Sequence, residues 1–376
     1  MTKAKTKKKT KRVTIISRES DKKTRDIRML EAELLSRGID VRVLSRLLTK
    51  EKSIRTLGYT GHIVKQEAAI LASDVVVLDT YCIPASMLPH RRGTKIVQMW
   101  HALSAIKKFG WQTVGKEGGS SPRTAKIMRM HHGYDYVISP SDITAKHFCE
   151  AFRVSPDKIV KQGLPRVDYI KSVSRGDLHE ETAERIYARY PQLRQAAKKV
   201  ILYAPTFRKG KTVDVQSLID AVDTDRFCLI VKLHPLYRGD LSEADKTRDP
   251  SVIYDEKFTS SDWLSVCDII ISDYSSFVVE STLAGKPLYI YAYDREEYAG
   301  TTGLNVEYQD EPIAPYVFSD AKELGKAIEK ACDAEDAGSA DGAYDMEALH
   351  AFRDRYIDID TDNCTAKLAD FIEGLI

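Results

Sequence analysis

The stretch CDIIISDYSSFVVESTLAGKPLYIYAY, residues 267–293, decides the fold of this chain. It reads as strand, tight turn, helix, turn, strand. Residues 268–271 end in a run of isoleucine, the near-continuous apolar pattern of a parallel strand buried on both faces. Ser272, Asp273, Tyr274, Ser275 and Ser276 form a polar turn. The apolar pattern resumes over 277–283, and Ala284-Gly285-Lys286-Pro287 stops it as a helix end does. Residues 288–291 make a second strand. Ser275 and Ser276 therefore fall where a helix starts, beyond the carboxyl end of a buried strand. Unpaired N–H groups and the positive end of the helix dipole favour a phosphate there. Glu280 lies one turn further on, on the face of Ser276, in reach of ribose hydroxyls. The same serines also suit plain helix capping.

A chain of 376 residues is too long for one ordinary core and suits two domains. Lys plus Arg is 57 against 55 for Asp plus Glu, so no global charge argues for nucleic acid. The charge is local: Lys3, Lys5, Lys7, Lys8, Lys9, Lys11 and Arg12 make a basic arm over residues 1–12. Such an arm is a solvated tail or a contact for an anionic membrane surface. It carries no apolar run of the kind a secretory signal needs. No stretch approaches the ~20 apolar residues of a membrane span. The six cysteines are scattered without a CxxC pair, which fits a reducing cytoplasm and argues against zinc.

Taken in order, strands are predicted at 13–16, 41–44, 75–78, 95–99, 134–138 and 158–161, with helices between them at 21–36 and 141–152. A charged, mostly helical stretch follows. The pattern restarts with KVILYAPTFR, residues 199–208, and strands are predicted at 200–203, 227–233, 268–271 and 288–291. Helices are expected near 321–334 and 362–375, with an exposed loop over 332–343. This alternation implies an α/β fold with parallel sheets and helices on both faces. The expected organisation is a basic arm (1–12), a first Rossmann-like domain (13–175), a connector (176–197), a second Rossmann-like domain (198–360), and a final helix (361–376) returning to the first.

In open α/β sheets, ligands bind beyond the carboxyl ends of the strands. The unusual residues collect there. Trp100-His101 follows 95–99. Gly163-Leu164-Pro165-Arg166 follows 158–161. Pro205-Thr206-Phe207-Arg208 follows 200–203. Lys232 and His234 end 227–233, and Asp273–Ser276 follows 268–271. Singly, each has a structural reading; together they suit a phosphate-rich ligand. GxxxxGK[ST], GxGxxG after the first strand, and HExxH are all missing from the sequence, which disfavours a P-loop, an ordinary dinucleotide site and a zinc protease. Adjacent His131-His132 reads as structural.

These residues resemble the CDP-glycerol glycerophosphotransferases that build teichoic acid and related polymers. The resemblance spans roughly residues 75–320. It is carried by QMWHALSAIKKFG (98–110), YDYVISPS (134–141), GLPRVD (163–168), YAPTFR (203–208), KLHP (232–235) and SDYSSFVVESTLAGKPLYIYAYDREEY (272–298). It implies a GT-B arrangement, two Rossmann-like domains facing across a cleft. It also implies transfer of glycerol phosphate from CDP-glycerol to a hydroxyl of a membrane-bound acceptor, with release of CMP. His101 matches the family's WH histidine and His234 its KLHP histidine, both expected to be catalytic. Arg208, Asp273, Ser275 and Ser276 match donor-binding positions, and Pro205, Thr206, Glu280, Arg166 and Lys232 are further substrate-binding candidates. The sequence departs where ALSAIKK replaces GTPLKK, and where Thr302-Gly303 and Ala314-Pro315 replace an RG…PGP pattern. These departures leave open glycerol or ribitol, and priming or extension. The chain is short beside the family's polymerases, which favours a primase-like role.

The expected mechanism has His101 as general base on the attacking hydroxyl, with His234, Arg208 and the N–H groups of the serine turn stabilising phosphoryl charge. No metal or cofactor is expected for binding. The partners expected are CDP-glycerol or CDP-ribitol, a lipid-linked saccharide or polyol-phosphate acceptor, and the cytoplasmic face of the membrane through the basic arm; nucleic acid is not expected. Two rivals remain. A GT-B glycosyltransferase would release UDP from a UDP-sugar instead of CMP. A non-catalytic module would need its arm but not His101.

Overall fold

The computed structural model describes residues 11–48, 57–116, 119–195, 198–208, 213–234 and 249–376. All but the last two positions of the basic arm, and Pro235 of KLHP, lie outside the described residues. The chain divides into two compact units. The first comprises Met1–Leu103, Phe109–Asp168 and Asp358–Ile376, the second Ser104–Lys108 and Tyr169–Ile357.

The first unit is built on β1 (Arg12–Ser17), β2 (Asp40–Ser45), β3 (Val75–Leu78), β4 (Lys95–Gln98), β5 (Tyr136–Ser139) and β6 (Ile159–Lys161). They form one six-stranded sheet in the order β2-β1-β3-β4-β5-β6, every neighbouring pair parallel. The central strand β3, Val-Val-Val-Leu, is buried along its whole length because helices cover both faces. The edge strand β2 is only partly buried and places Arg42 in solvent. The final helix, Cys364–Gly374, packs in this unit beside the helix Arg25–Ser36. Arg37 ties the two, pairing with Asp370 at 2.5 Å and donating to the Ala366 carbonyl at 3.1 Å.

The second unit is built on β7 (Lys199–Tyr203), β8 (Phe227–Val231), β9 (Val252–Tyr254), β10 (Ile269–Ser272), β11 (Leu288–Tyr291) and β12 (Val317–Phe318). Their order is β12-β11-β10-β7-β8-β9, again all parallel. Ile201, Tyr203, Leu229, Val231, Ile271, Tyr289 and Tyr291 form one face of its core, against Leu218, Leu324 and Ile328 from the covering helices. The helix Ala321–Asp336 takes in the first five residues of the loop expected over 332–343, because Cys332 and Ala334 continue its buried face; residues 337–343 lie outside any helix or strand.

Both sheets reverse direction once. In the first, the chain runs from β1 out to β2 and then returns to the other side of β1 as β3. In the second, it runs from β7 out through β8 to β9 and returns beside β7 as β10. Crossover loops leave in opposite directions at such a point and open a crevice beyond the strand ends. The first crevice is bordered by the turns after Ser17 and Leu78, the second by those after Tyr203 and Ser272.

Candidate active site

In the first unit, the turn after β4 carries Trp100 and His101. Trp100 has φ 59, left-handed backbone that a side chain of this size rarely adopts. It is held there from both sides. Its N–H donates to Gln98 Oε1 at 2.9 Å, while Gln98 Nε2 donates to the Thr80 carbonyl at 3.1 Å. Its indole stacks on Phe109, centroids 4.7 Å apart, and meets Phe152 edge-on at 5.1 Å. The strained tryptophan delivers the next residue, His101, to the β1–β3 crevice, with the imidazole lying 4.1 Å from the indole.

His101 Nδ1 lies 2.9 Å from the Asp79 backbone carbonyl. A carbonyl only accepts, so Nδ1 carries the proton of the neutral ring. Nε2 then keeps its lone pair, which is the form a general base requires. Glu19 Oε1 lies 3.9 Å from the same Nδ1. The Asp79 carboxyl is buried, and its oxygens make no hydrogen bond among the described residues. Burial pushes its pKa up to about 7; the nearby Ser17 and Thr80 hydroxyls oppose that, and the Glu19 charge adds to it. His131 is buried, hydrogen-bonded through Nδ1 to the Tyr134 hydroxyl at 2.8 Å, and held neutral by burial with its pKa near 3. It is part of the aromatic cluster under Trp100.

Of the GLPRVD residues, Arg166 points inward. Its N–H donates to Asp26 Oδ1 at 2.7 Å and its Nε to Asp26 Oδ2 at 2.8 Å, with Nη2 on the same oxygen. Asp168 accepts from the N–H groups of Cys364 and Thr365 at 2.8 and 2.7 Å, which fixes the start of the final helix. Gly163 lets that helix approach, since a Cβ there would sit 2.4 Å from Cys364 Sγ. This motif ties the first unit together.

In the second unit, the β7–β10 crevice is framed by an ionic network. Asp273 is fully buried. It accepts from Thr206 N–H at 2.9 and 3.0 Å and Tyr274 N–H at 2.6 Å, and pairs with Arg208 Nη1 at 2.8 Å. Arg208 also donates to Asp294 at 2.6 and 3.0 Å and to the Thr206 carbonyl at 2.7 Å. Burial works against its charge, but the Asp294 hydrogen bonds and the charges of Asp273 and Asp294 outweigh it and raise its pKa. Tyr274 and Tyr298 stack at 4.4 Å and flank the guanidinium. Pro205 and Thr206 are buried in the same turn. Arg208 and Asp273 thus brace the two turns internally.

What the turn offers outward is the serine pair. Ser275 and Ser276 are partly exposed between buried neighbours. Ser275 Oγ accepts from Phe277 N–H at 3.2 Å, and Ser276 Oγ donates to the buried Glu280 at 3.2 Å. Their own backbone N–H groups donate to nothing among the described residues. The helix they precede, Phe277–Ser281, continues as one 3-10 turn and ends at Gly285 with φ 64, the left-handed cap that glycine permits. Lys232 is tied to Asp255, donating to its carbonyl at 2.9 Å. His234 is exposed, its ring 5.8 Å from Phe207. Among the described residues no cluster of His, Cys, Asp or Glu suits a metal ion.

The sequence reading missed three features. Glu19 and Asp79 join His101 at the first crevice. Asp294 joins Arg208 at the second. Residues 104–108, sequence neighbours of His101, belong to the second unit: Lys107 bridges Leu304 in antiparallel fashion, and Asn305 Nδ2 donates to the carbonyls of Ala105 and Lys107 at 2.9 and 3.2 Å. The motif SAIKK marked this segment as unusual, but only the fold shows its partner.

Residues 1–374 match the sequence profile of the CDP-glycerol:poly(glycerophosphate) glycerophosphotransferases. The chain belongs to this family. A teichoic acid ribitol-phosphate primase of Bacillus spizizenii is 30% identical over 315 residues, which cover 80% of this chain and 75% of the relative. A teichoic acid glycerol-phosphate primase of Bacillus subtilis is 28% identical over 324 residues, covering 84% and 77%. Among solved structures, the wall teichoic acid polymerase TagF, in a variant soaked with CDPG, superposes with TM-score 0.72 at 19% identity, covering 97% of this chain and 88% of that one. The glycerophosphotransferase family member described here therefore has a GT-B-like fold of two parallel α/β units. It is a transferase of the teichoic acid polyol-phosphate family, with glycerol and ribitol relatives at similar identity.

Proposed function

We propose that this enzyme transfers glycerol phosphate from CDP-glycerol to a hydroxyl of a membrane-bound teichoic-acid-type acceptor. The observation that carries the reading is the His101 tautomer: Nδ1 donates to the Asp79 carbonyl, so Nε2 carries the lone pair that takes a proton. The acceptor oxygen forms a bond to the β-phosphorus of the donor and loses its proton to Nε2. The bond from that phosphorus to the bridging oxygen breaks, and CMP leaves. The open N–H groups of Ser275 and Ser276 supply preorganised donors for phosphoryl charge. Arg208, Asp273 and Thr206 hold that turn in place instead of touching donor. His234 is a second candidate for the diphosphate.

A second reading, ribitol phosphate from CDP-ribitol, is favoured by the ribitol-phosphate primase at 30% identity. The deciding assay offers CDP-glycerol, CDP-ribitol and a UDP-sugar with a lipid-linked disaccharide acceptor, and measures the nucleotide released. CMP from one CDP-polyol, abolished in His101→Asn, supports the reading. UDP release, or equal CMP release from His101→Asn, overturns it.

The basic arm is proposed to hold the enzyme on the cytoplasmic face of the membrane. Among the described residues no helix is long and apolar enough to cross a bilayer. Deleting residues 2–10 should weaken binding to anionic vesicles, and binding by the full chain should fall with salt. Equal vesicle binding by both forms would refute the anchoring role.

A further inference from the structure

Lys107 is a residue of the second unit whose ammonium its internal contacts leave unexplained. Its backbone is fixed: residues 105–108 pair with 303–305 through the Lys107–Leu304 bridge, the Lys108 N–H donating to the Gly303 carbonyl at 3.0 Å and the Asn305 N–H to the Ile106 carbonyl at 2.8 Å. Successive side chains of an extended segment point to opposite sides. The Lys108 stem lies over Gly303, where an added Cβ would meet its Cδ at 2.9 Å. The Lys107 side chain takes the other side, where it feels the attraction of Asp273 and the repulsion of Arg208. It is partly buried, and burial lowers its pKa ahead of either charge. Its ammonium makes no hydrogen bond or ion pair among the described residues.

Such a placement is costly without a partner, since an ammonium removed from water needs compensation. Asp273 does not supply it directly. That carboxylate is already occupied by Arg208 and by the N–H groups of Thr206 and Tyr274. An anion bound at the same turn would supply it. The open N–H groups of Ser275 and Ser276 stand two and three positions beyond Asp273.

We propose that Lys107 is a phosphate-binding residue, its ammonium meeting an oxygen of the donor's diphosphate at the serine turn; the proposal rests on the CDP-polyol reading above. A lysine suits this place as a compact point charge with three donors, and phosphate is the anion that rewards it. The sequence around His101 thereby serves both reactants, His101 the attacking hydroxyl and Lys107 the diphosphate.

The test is calorimetric titration of the full chain with CDP-glycerol, CDP-ribitol and inorganic pyrophosphate, using wild type, Lys107→Met, Lys107→Gln and Lys108→Met. Both Lys107 variants should bind the preferred CDP-polyol and pyrophosphate roughly 10- to 100-fold more weakly. Lys108→Met should bind as wild type. The melting temperature of Lys107→Met should equal or exceed that of wild type, since an uncompensated ammonium is removed; a merely structural lysine would show the reverse. If wild type binds a CDP-polyol and folded Lys107→Met and Lys107→Gln bind it equally well, this proposal falls while the donor reading stands. If pyrophosphate binding depends on Lys107 but neither CDP-polyol binds, Lys107 stands and the donor reading falls. Binding of no probe by wild type, or loss of fold in both Lys107 variants, overturns the proposal outright.

Discussion

Replacing Arg208 by Met separates a bracing arginine from one that holds substrate. The Arg208 side chain is 4% exposed and that of Asp273 is not exposed at all. Removing the guanidinium leaves Asp273 buried with two backbone donors, Thr206 and Tyr274 N–H. Breaking a buried pair from one side costs roughly 3–5 kcal/mol. The remaining N–H groups place the loss at the lower end, and the Thr206 carbonyl gives up its hydrogen bond from Nη1, worth about 1 kcal/mol. A loss of about 3–4 kcal/mol lowers the melting temperature of a unit this size by roughly 6–16 °C. Urea and thermal unfolding followed by circular dichroism measure it. The double variant Arg208→Met with Asp273→Asn should lose less than the sum of the single changes, because the stranded charge is gone. Asp294→Asn should be milder, its side chain being 18% exposed. A folded Arg208→Met that melts within ~2 °C of wild type yet fails to bind CDP-glycerol would refute the bracing role and make Arg208 a ligand contact.

Three further outcomes are expected. His101→Ala should lower kcat by roughly 10²- to 10⁴-fold with little change in donor affinity; a folded variant keeping more than about a tenth of wild-type turnover would mean that another group takes the proton. Asp79, with its pKa raised to about 7 from 3.8 in the native fold, binds its proton more tightly folded than unfolded. Its contribution to stability is therefore complete below about pH 4 and is lost as pH rises towards 7. Melting temperatures across that range should show Asp79→Asn gaining on wild type as pH rises, and parallel curves would disprove it. Gly325→Ala should destabilise by roughly 1–2 kcal/mol despite the better helix propensity, because the new Cβ would sit 2.3 Å from the Ala221 carbonyl oxygen. Gly374→Ala, with nothing within 4 Å, should not destabilise, and equal effects at both sites would contradict the close approach.

The sheets were legible because parallel strands buried on both faces leave unbroken apolar runs, such as Val75–Leu78 and Ile269–Ser272. β12 and β9, two and three residues long, went unread. The helices Arg295–Thr301 and Met346–Tyr356 went unread among charged sequence. At the candidate site, position was readable and engagement was not. Strand ends announced Arg166, Lys232 and Arg208, but a cation's partner is chosen in three dimensions. Asp26, Asp255 and Asp294 lie 140, 23 and 86 positions away from them. Asp79 and Glu19 were silent for a related reason. Nothing local marks the Asp79 carbonyl or the Glu19 carboxylate that the sheet order will bring beside an imidazole.

The assignment of residues 104–108 bears on how this enzyme could be recombined with its relatives. A cut at 168/169 looks like a natural seam, since the last strand of the first sheet lies before it and the first strand of the second lies after it. A chimera joined there would inherit 104–108 from one parent and 303–305 from the other. The Asn305 amide, which bonds two carbonyls of the inserted segment, would face a foreign backbone. The two segments form a single inheritable block although some two hundred positions separate them. Exchange of the second unit within the family should therefore give a folded chain when 104–108 travels with it, and fail when only the contiguous 169–357 is moved.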